Sequence, residues 1–278
     1  MSAMKGATTK TVNVGGTSFA YREVGAVGGI PLVLLHHVTA MLDDWDPAVV
    51  DGLAAERHLI LVDLRGVGAS GGTTPDTFEA MAEDAVAFVE ALGLGTVDLL
   101  GYSLGGIVAQ LIAQTHPGLV RRIVFAATTP AGAKGPASTG AVLQAAAQRA
   151  ASEGKHPKNF LFFEPTPASQ EAADSFLHRL EERTEDRDTP VTDETIAAQL
   201  TALASWEQDA SPAGLKNLNH PALVVNGDND AMWPTTGTLE LAQALPNAKL
   251  AIYPDSGHGA IFQYHDLFVQ QTLEFLRG

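Results

Sequence analysis

The chain contains no cysteine. Disulfides, a thiolate nucleophile and thiolate metal sites are therefore excluded, although either redox compartment remains compatible. Basic side chains are scarce: 17 lysines and arginines stand against 32 acidic residues, a formal charge of −15. Such a surface repels phosphate backbones and anionic headgroups, so neither nucleic acid nor membrane is expected as a partner, and a small neutral molecule fits better. No apolar run reaches the length that spans a bilayer, and residues 1–16 lack the apolar centre of a signal peptide. A cytoplasmic location is expected. Charged residues make up only 18% against 45% hydrophobic ones, a balance that excludes disorder. One α/β domain can accommodate all 278 residues with a sizeable core.

Short apolar, β-branched runs occupy 30–35, 58–63, 97–100, 123–126, 222–226 and 250–253, each closed by turn or polar residues. These read as buried strands. Helical patterns lie between several of them, at 78–92, with Met81, Ala85, Phe88, Val89 and Leu92 on one face, and at 104–115 ahead of His116-Pro117. Alternating strand and helix predicts a mostly parallel sheet covered on both faces. Residues 11–23 alternate around Gly15-Gly16 and predict a hairpin that adds antiparallel strands at one edge, giving eight strands in all.

Between Thr129 and Pro221 the rhythm stops, and no convincing strand appears. Residues 130–220 are read as an all-helical insertion, a lid over the strand ends of a core made of 1–129 and 221–278. Within it, Phe160, Phe162 and Phe163 are expected chiefly to pack the insertion onto the body, with one of them lining a pocket. The acidic stretch 171–194 reads as a solvated helix face.

Gly101-Tyr102-Ser103-Leu104-Gly105 matches G-x-S-x-G, directly after a strand and directly before a helix. The turn is so tight that small residues must flank the serine, whose Oγ is then held out beside a helix N-terminus. A serine hydroxyl is a poor nucleophile at neutral pH and needs an imidazole within hydrogen-bond reach. His258 is preferred, because it lies in a loop after the last strand, on the side of the sheet where Ser103 sits. His116, His156, His178 and His220 read as surface or capping residues, and His265 as an exposed position inside the final helix. The base in turn needs a carboxylate to fix its tautomer, and both Asp228 and Asp230 follow the strand at 222–226.

The serine segment resembles the nucleophile elbow of the α/β-hydrolase superfamily, near its esterase and cofactor-free perhydrolase branches. Leu34-Leu35-His36-His37 resembles that family's strand ending in His-Gly, Asp63 to Ser70 its D-x-R-G-x-G-x-S turn, Asn226 to Asp230 with Pro234 its acid loop, and Asp255 to Gly259 its histidine loop. Only the insertion lacks a match. The resemblance implies Ser103 as nucleophile, Asp230 rather than Asp228 as the acid, and His258 as the base, in the chain order this fold uses. Oxyanion donors follow as the amides of Leu104 and of Val38, the latter by its match to the residue after His-Gly. His37 stands where glycine is usual in relatives. Together with Phe162, Trp206 and Trp233, it is a candidate for the substrate pocket.

No glycine-rich loop has the spacing of a dinucleotide or phosphate cradle, so no cofactor is inferred. Adjacent His36 and His37 diverge and lack a carboxylate at ligand spacing, so no metal is inferred either. Asp63, Arg65 and Ser70 read as a hydrogen-bonded turn that braces the elbow. The expected chemistry is hydrolysis of a carboxylic ester, or a similar small acyl compound, through an acyl-enzyme on Ser103. Perhydrolysis, lactone opening and hydrolytic C–C cleavage use the same residues, and a receptor with a vestigial triad is a further alternative. Oligomeric state is not legible in the sequence.

Overall fold

The computed structural model of the protein describes residues 2–133, 139–208 and 214–278. Its eight strands are β1 (Lys10–Val14), β2 (Thr17–Val24), β3 (Leu32–Leu35), β4 (Leu59–Val62), β5 (Val97–Tyr102), β6 (Val120–Ala126), β7 (Ala222–Gly227) and β8 (Ala248–Tyr253). They form one sheet in the order β1-β2-β4-β3-β5-β6-β7-β8. β1 pairs antiparallel with β2, β2 antiparallel with β4, and every later pair is parallel. The expected mixed, mostly parallel sheet is what forms. At the hairpin, Val14 faces Thr17, and Gly15 and Gly16 both take positive φ (57° and 91°), the pair of conformations a two-residue turn needs to match strand twist.

Central strands β3, β4, β5 and β7 are buried along their whole length, which is possible only with helices over both faces. Besides a single helical turn at Ala3–Gly6, those before β6 are α1 (Pro47–Ala54), α2 (Phe78–Ala91) and α3 (Leu104–Thr115). α1 begins with proline in its first turn and with Asp46 Oδ1 accepting from the Ala48 amide at 2.9 Å, which supplies a partner for one orphan N–H. α3 stops at His116, ahead of Pro117, which cannot continue a helix.

Between β6 and β7 lie α4 (Thr139–Glu153), α5 (Lys158–Leu161), α6 (Pro167–Glu181) and α7 (Asp193–Gln208), with no strand among the described residues there. α8 (Thr235–Ala244), a single helical turn at Ala260–Gln263 and α9 (His265–Arg277) complete the chain. His265 therefore opens α9 rather than lying inside it, and it is half-buried beside Asp266.

The acidic stretch 171–194 is more than a solvated helix face. Arg179 on α6 grips Asp46 with two hydrogen bonds (2.7 and 2.6 Å), and between α6 and α7 the Asp188 amide donates to buried Asp43 while Asp188 Oδ2 accepts from the Leu42 amide. Asp43 is neutralised at 2.7 Å by Arg22, which is fully buried on β2. The insertion is thus tied to the loop after β3 by the Arg179–Asp46 pair and by hydrogen bonds between backbone amides and carboxylates at Asp43 and Asp188, and leaving the buried Asp46 or Asp43 unpartnered would be costly.

Ser70 Oγ donates to the Asp63 carbonyl and accepts from the Ala20 amide, both at 2.7 Å, and the Gly71 amide donates to Ser18. This is the hydrogen-bonded turn expected at 63–70. Its bonds run to β2, however, so the brace acts on the antiparallel edge and not directly on the turn after β5.

Candidate active site

Ser103 sits where β5 ends and α3 begins, with φ 55° and ψ −117°, a conformation rarely adopted by a residue carrying a Cβ. The neighbours explain why it persists. A Cβ on Gly101 would lie 2.4 Å from the Gly105 carbonyl, and one on Gly105 would lie 2.1 Å from that of Leu35. Only glycine fits at either position. The Ser103 amide donates to Ala126 at the end of β6, and the Gly105 amide donates to His36 in the loop after β3, both at 2.8 Å. The second bond sets the loop carrying His37 and Val38 against the first turn of α3. Both Val38 and Leu104 are buried there.

β7 delivers Asp230 and the loop after β8 delivers His258. Asp230 Oδ2 and His258 Nδ1 are 2.8 Å apart, and Asp230 Oδ1 accepts from the amides of Met232 (2.8 Å) and Trp233 (3.0 Å). Three donors on one carboxylate hold it in place. Because Nδ1 faces a carboxylate it carries the proton, so Nε2 is left as the basic nitrogen; it is buried and makes no hydrogen bond. Tyr102 ties this loop to the elbow: its hydroxyl donates to the His258 carbonyl at 3.1 Å and its ring centroid lies 5.3 Å from the imidazole's. Burial and the charge of Asp230 raise the Tyr102 phenol well above its usual range, so it remains a neutral donor. Asp228 is exposed and engages the Ser256 amide (3.1 Å) and the Asn229 side chain, the bonding of a turn.

His36 and His37 have local work of their own. His36 Nδ1 accepts from the His37 amide at 2.8 Å, and the His36 ring lies 4.3 Å from that of Trp45. His37 Nδ1 donates to the Val38 carbonyl at 2.6 Å. Their rings are 87° apart, and no cluster of three metal-ligating side chains occurs among the described residues.

Beside these groups lies a cavity of about 480 Å³. His37, Val38, Phe162 and Met232 line it from the site's side, while Leu143 on α4 and Ile196 and Leu200 on α7 line it from the insertion. Ser103 and His258 are not on its wall, but the ring of Phe162, which lines it, is 5.6 Å from the His258 ring. Of the pocket candidates read from sequence, His37 and Phe162 take their places here. Trp206 does not: it meets Phe78 edge-on at 5.8 Å, where it lines a separate small cleft. Trp233 is 2% exposed and forms no part of the cavity wall; its amide, not its indole, serves the site.

Sequence reasoning missed most of this wall, including its charged part. His156, Lys158 and Asp44 form a polar corner, with Lys158 Nζ paired to Asp44 and His156 Nδ1 accepting from the Lys158 amide. Asp44 and Lys158 are 114 positions apart, and nothing in the local pattern at either end signals the pairing.

A family model described as alpha/beta hydrolase fold matches residues 30–263. The chain belongs to the α/β-hydrolase fold family. An alpha/beta hydrolase fold protein from Chitinophaga pinensis is 40% identical, with a TM-score of 0.91 and 98% of each chain covered. A 2-hydroxy-6-oxononadienedioate/2-hydroxy-6-oxononatrienedioate hydrolase from Burkholderia vietnamiensis is 30% identical over 98% of this chain and 96% of its own. A pimeloyl-[acyl-carrier protein] methyl ester esterase from Nitrosomonas europaea is 28% identical over 87% of this chain and 93% of its own. This α/β hydrolase carries its strained serine at the strand-to-helix turn that the fold uses for an exposed hydroxyl.

Proposed function

We propose that this α/β hydrolase cleaves carboxylic esters of uncharged, largely apolar acyl compounds through an acyl-enzyme on Ser103. His258 Nε2 takes the Ser103 proton as Oγ attacks the ester carbonyl, then returns it to the leaving alkoxide. Water, deprotonated by the same nitrogen, releases the acid. Asp230 holds Nδ1–H and stabilises the imidazolium that forms at each transfer. The amides of Val38 and Leu104 receive the developing oxyanion, a role in which one donor is typically worth about a hundredfold to a thousandfold in rate. Residues 130–220 act as a lid whose helices shape the acyl site.

One observation carries this reading: an imidazole fixed through Nδ1 by a buried carboxylate, with Nε2 unpartnered, packed on the tyrosine next to a serine in a strained turn. The esterase relative from N. europaea supports the ester as the bond cleaved. The relative from B. vietnamiensis is named for dienedioate and trienedioate substrates. Against the same substrates here, the ammonium on the cavity wall is already neutralised by Asp44. A panel of aryl esters, lactones and diketones, with and without peroxide, tests the proposal. Ester turnover should exceed the other activities and need no peroxide; faster peracid formation, lactone opening or diketone cleavage would replace it.

A further inference from the structure

The loop that carries His258 is bonded to the insertion as well as to the core. Asp255, three residues before the base, is half-buried and takes φ 49°, a left-handed conformation that a residue with a Cβ keeps when its surroundings enforce it. Two routes of hydrogen bonds from the start of α6 end on this residue. Thr166, which caps α6, donates its hydroxyl to Asp255 Oδ2 at 2.7 Å. Ser169, fully buried in the first turn, donates to Gln263 Oε1 at 2.7 Å, and Gln263 Nε2 donates to the Asp255 carbonyl at 2.8 Å. Gln263 closes the helical turn that follows His258 and Gly259. The base therefore lies between two residues that are bonded to each other and to the insertion.

Helix capping alone does not account for this pattern. For that purpose the two hydroxyls need only their lone pairs: Thr166 Oγ1 accepts from the Ser169 amide at 3.3 Å, and Ser169 Oγ accepts from the Glu164 amide at 2.8 Å. Both protons cross the seam instead. From the core, Tyr102 bonds the His258 carbonyl and Asp228 the Ser256 amide, which leaves Asp255 to the insertion. We infer that Thr166 and Ser169 are positioning residues for His258. Acting through Asp255 and Gln263, they fix the backbone from which the imidazole reaches Asp230, so part of the base's geometry is supplied by the insertion. This rests on the hydrolase reading above. Neither residue lines the cavity, so the effect falls on catalysis and not on substrate binding.

Thr166→Val and Ser169→Ala remove the two protons with little change of volume. Assayed on a p-nitrophenyl ester at matched folded fractions, each should lower kcat on the order of ten- to a hundredfold, the cost of a misplaced catalytic group, and leave KM within about twofold. Thr166→Ser keeps the hydroxyl and should keep the wild-type kcat. Thr192→Ala is the control: Thr192 Oγ1 accepts from the Thr195 amide at 3.2 Å at the start of α7, an equivalent cap with no bond to the histidine loop, so its loss should cost stability and spare kcat. The proton on His258 Nδ1 gives an activity-independent signal. Its downfield NMR resonance should be sharp in wild type and broadened by exchange with water in Thr166→Val and Ser169→Ala. Wild-type kcat and an unchanged resonance in both variants, or an equal loss of kcat in Thr192→Ala, would overturn the inference. If wild type turns over no ester and Ser103 resists a fluorophosphonate probe, it is the hydrolase reading that fails, and the resonance alone then decides the positioning role.

Discussion

Asp230 and His258, 28 positions apart, meet at 2.8 Å because β7 and β8 lie side by side and each releases its loop at the same end of the sheet. The pair and its surroundings distinguish the two aspartates of the β7 loop. Asp230→Asn should lower kcat on the order of 10⁴-fold, since an amide can hold the imidazole in the wrong tautomer. Asp228→Asn should keep most of the activity and cost roughly 1 kcal/mol of stability through a weakened turn. Steady-state assays at matched folded fractions decide, and the reverse outcome would move the acid to Asp228.

Ser103→Ala should fold as wild type and lose ester hydrolysis, and a fluorophosphonate should label Ser103 and no other serine. Intact-protein mass spectrometry reads the label directly. Full labelling of the alanine variant would show that the nucleophile lies elsewhere.

Gly105→Ala drives a methyl to 2.1 Å from the Leu35 carbonyl, an atom of a central strand that cannot move aside. About 3 kcal/mol or more of destabilisation is expected. Gly118, with nothing near its would-be Cβ, is the control, and Gly118→Ala should stay within about 0.5 kcal/mol of wild type. Urea titration compares the two; equal stabilities would mean that the elbow is looser than its contacts indicate.

Acidification should destabilise the fold through His36 and His37. Burial, first of all, holds both imidazoles well below 6.5, so as pH drops past that value the unfolded chain binds protons that the folded one refuses. Stability is therefore complete above 6.5 and declines below it, by up to about 1.4 kcal/mol per pH unit for each group. His37→Leu should remove its share of that slope. Denaturant melts on either side of 6.5 measure it, and an unchanged slope would assign the effect to other groups.

The frame of this molecule is readable from local chemistry. Gly15-Gly16 dictates the hairpin, the buried apolar runs dictate the parallel strands, and glycines on both sides of Ser103 announce the sharp turn. Residue periodicity also places α2 and α3 to within a residue of their bounds. The cavity wall is less legible, because it is assembled from segments far apart in the chain. Phe162 was reachable as one aromatic among three, but Trp206 and Trp233 are equally large and apolar and were drawn into packing, one on Phe78 and one into the core. The Lys158–Asp44 pair and the Asp43–Asp188 contact arise only when α5 and the segment after α6 fold onto the loop following β3. Charge content in such stretches reads as solvation until the partner is known.

Phe162 does two jobs through different atoms. It lines the cavity, while its carbonyl accepts from the amide of Gly259, the residue after His258, at 2.9 Å. A Cβ on Gly259 would lie 2.6 Å from the Cβ of Phe162, so the two backbones are in near contact. On the proposed mechanism, acyl preference and base geometry consequently share a hinge point. A helical insertion grafted from a relative to change selectivity would have to reproduce this carbonyl at its seam, or the imported specificity would arrive with a displaced imidazole and a slower enzyme.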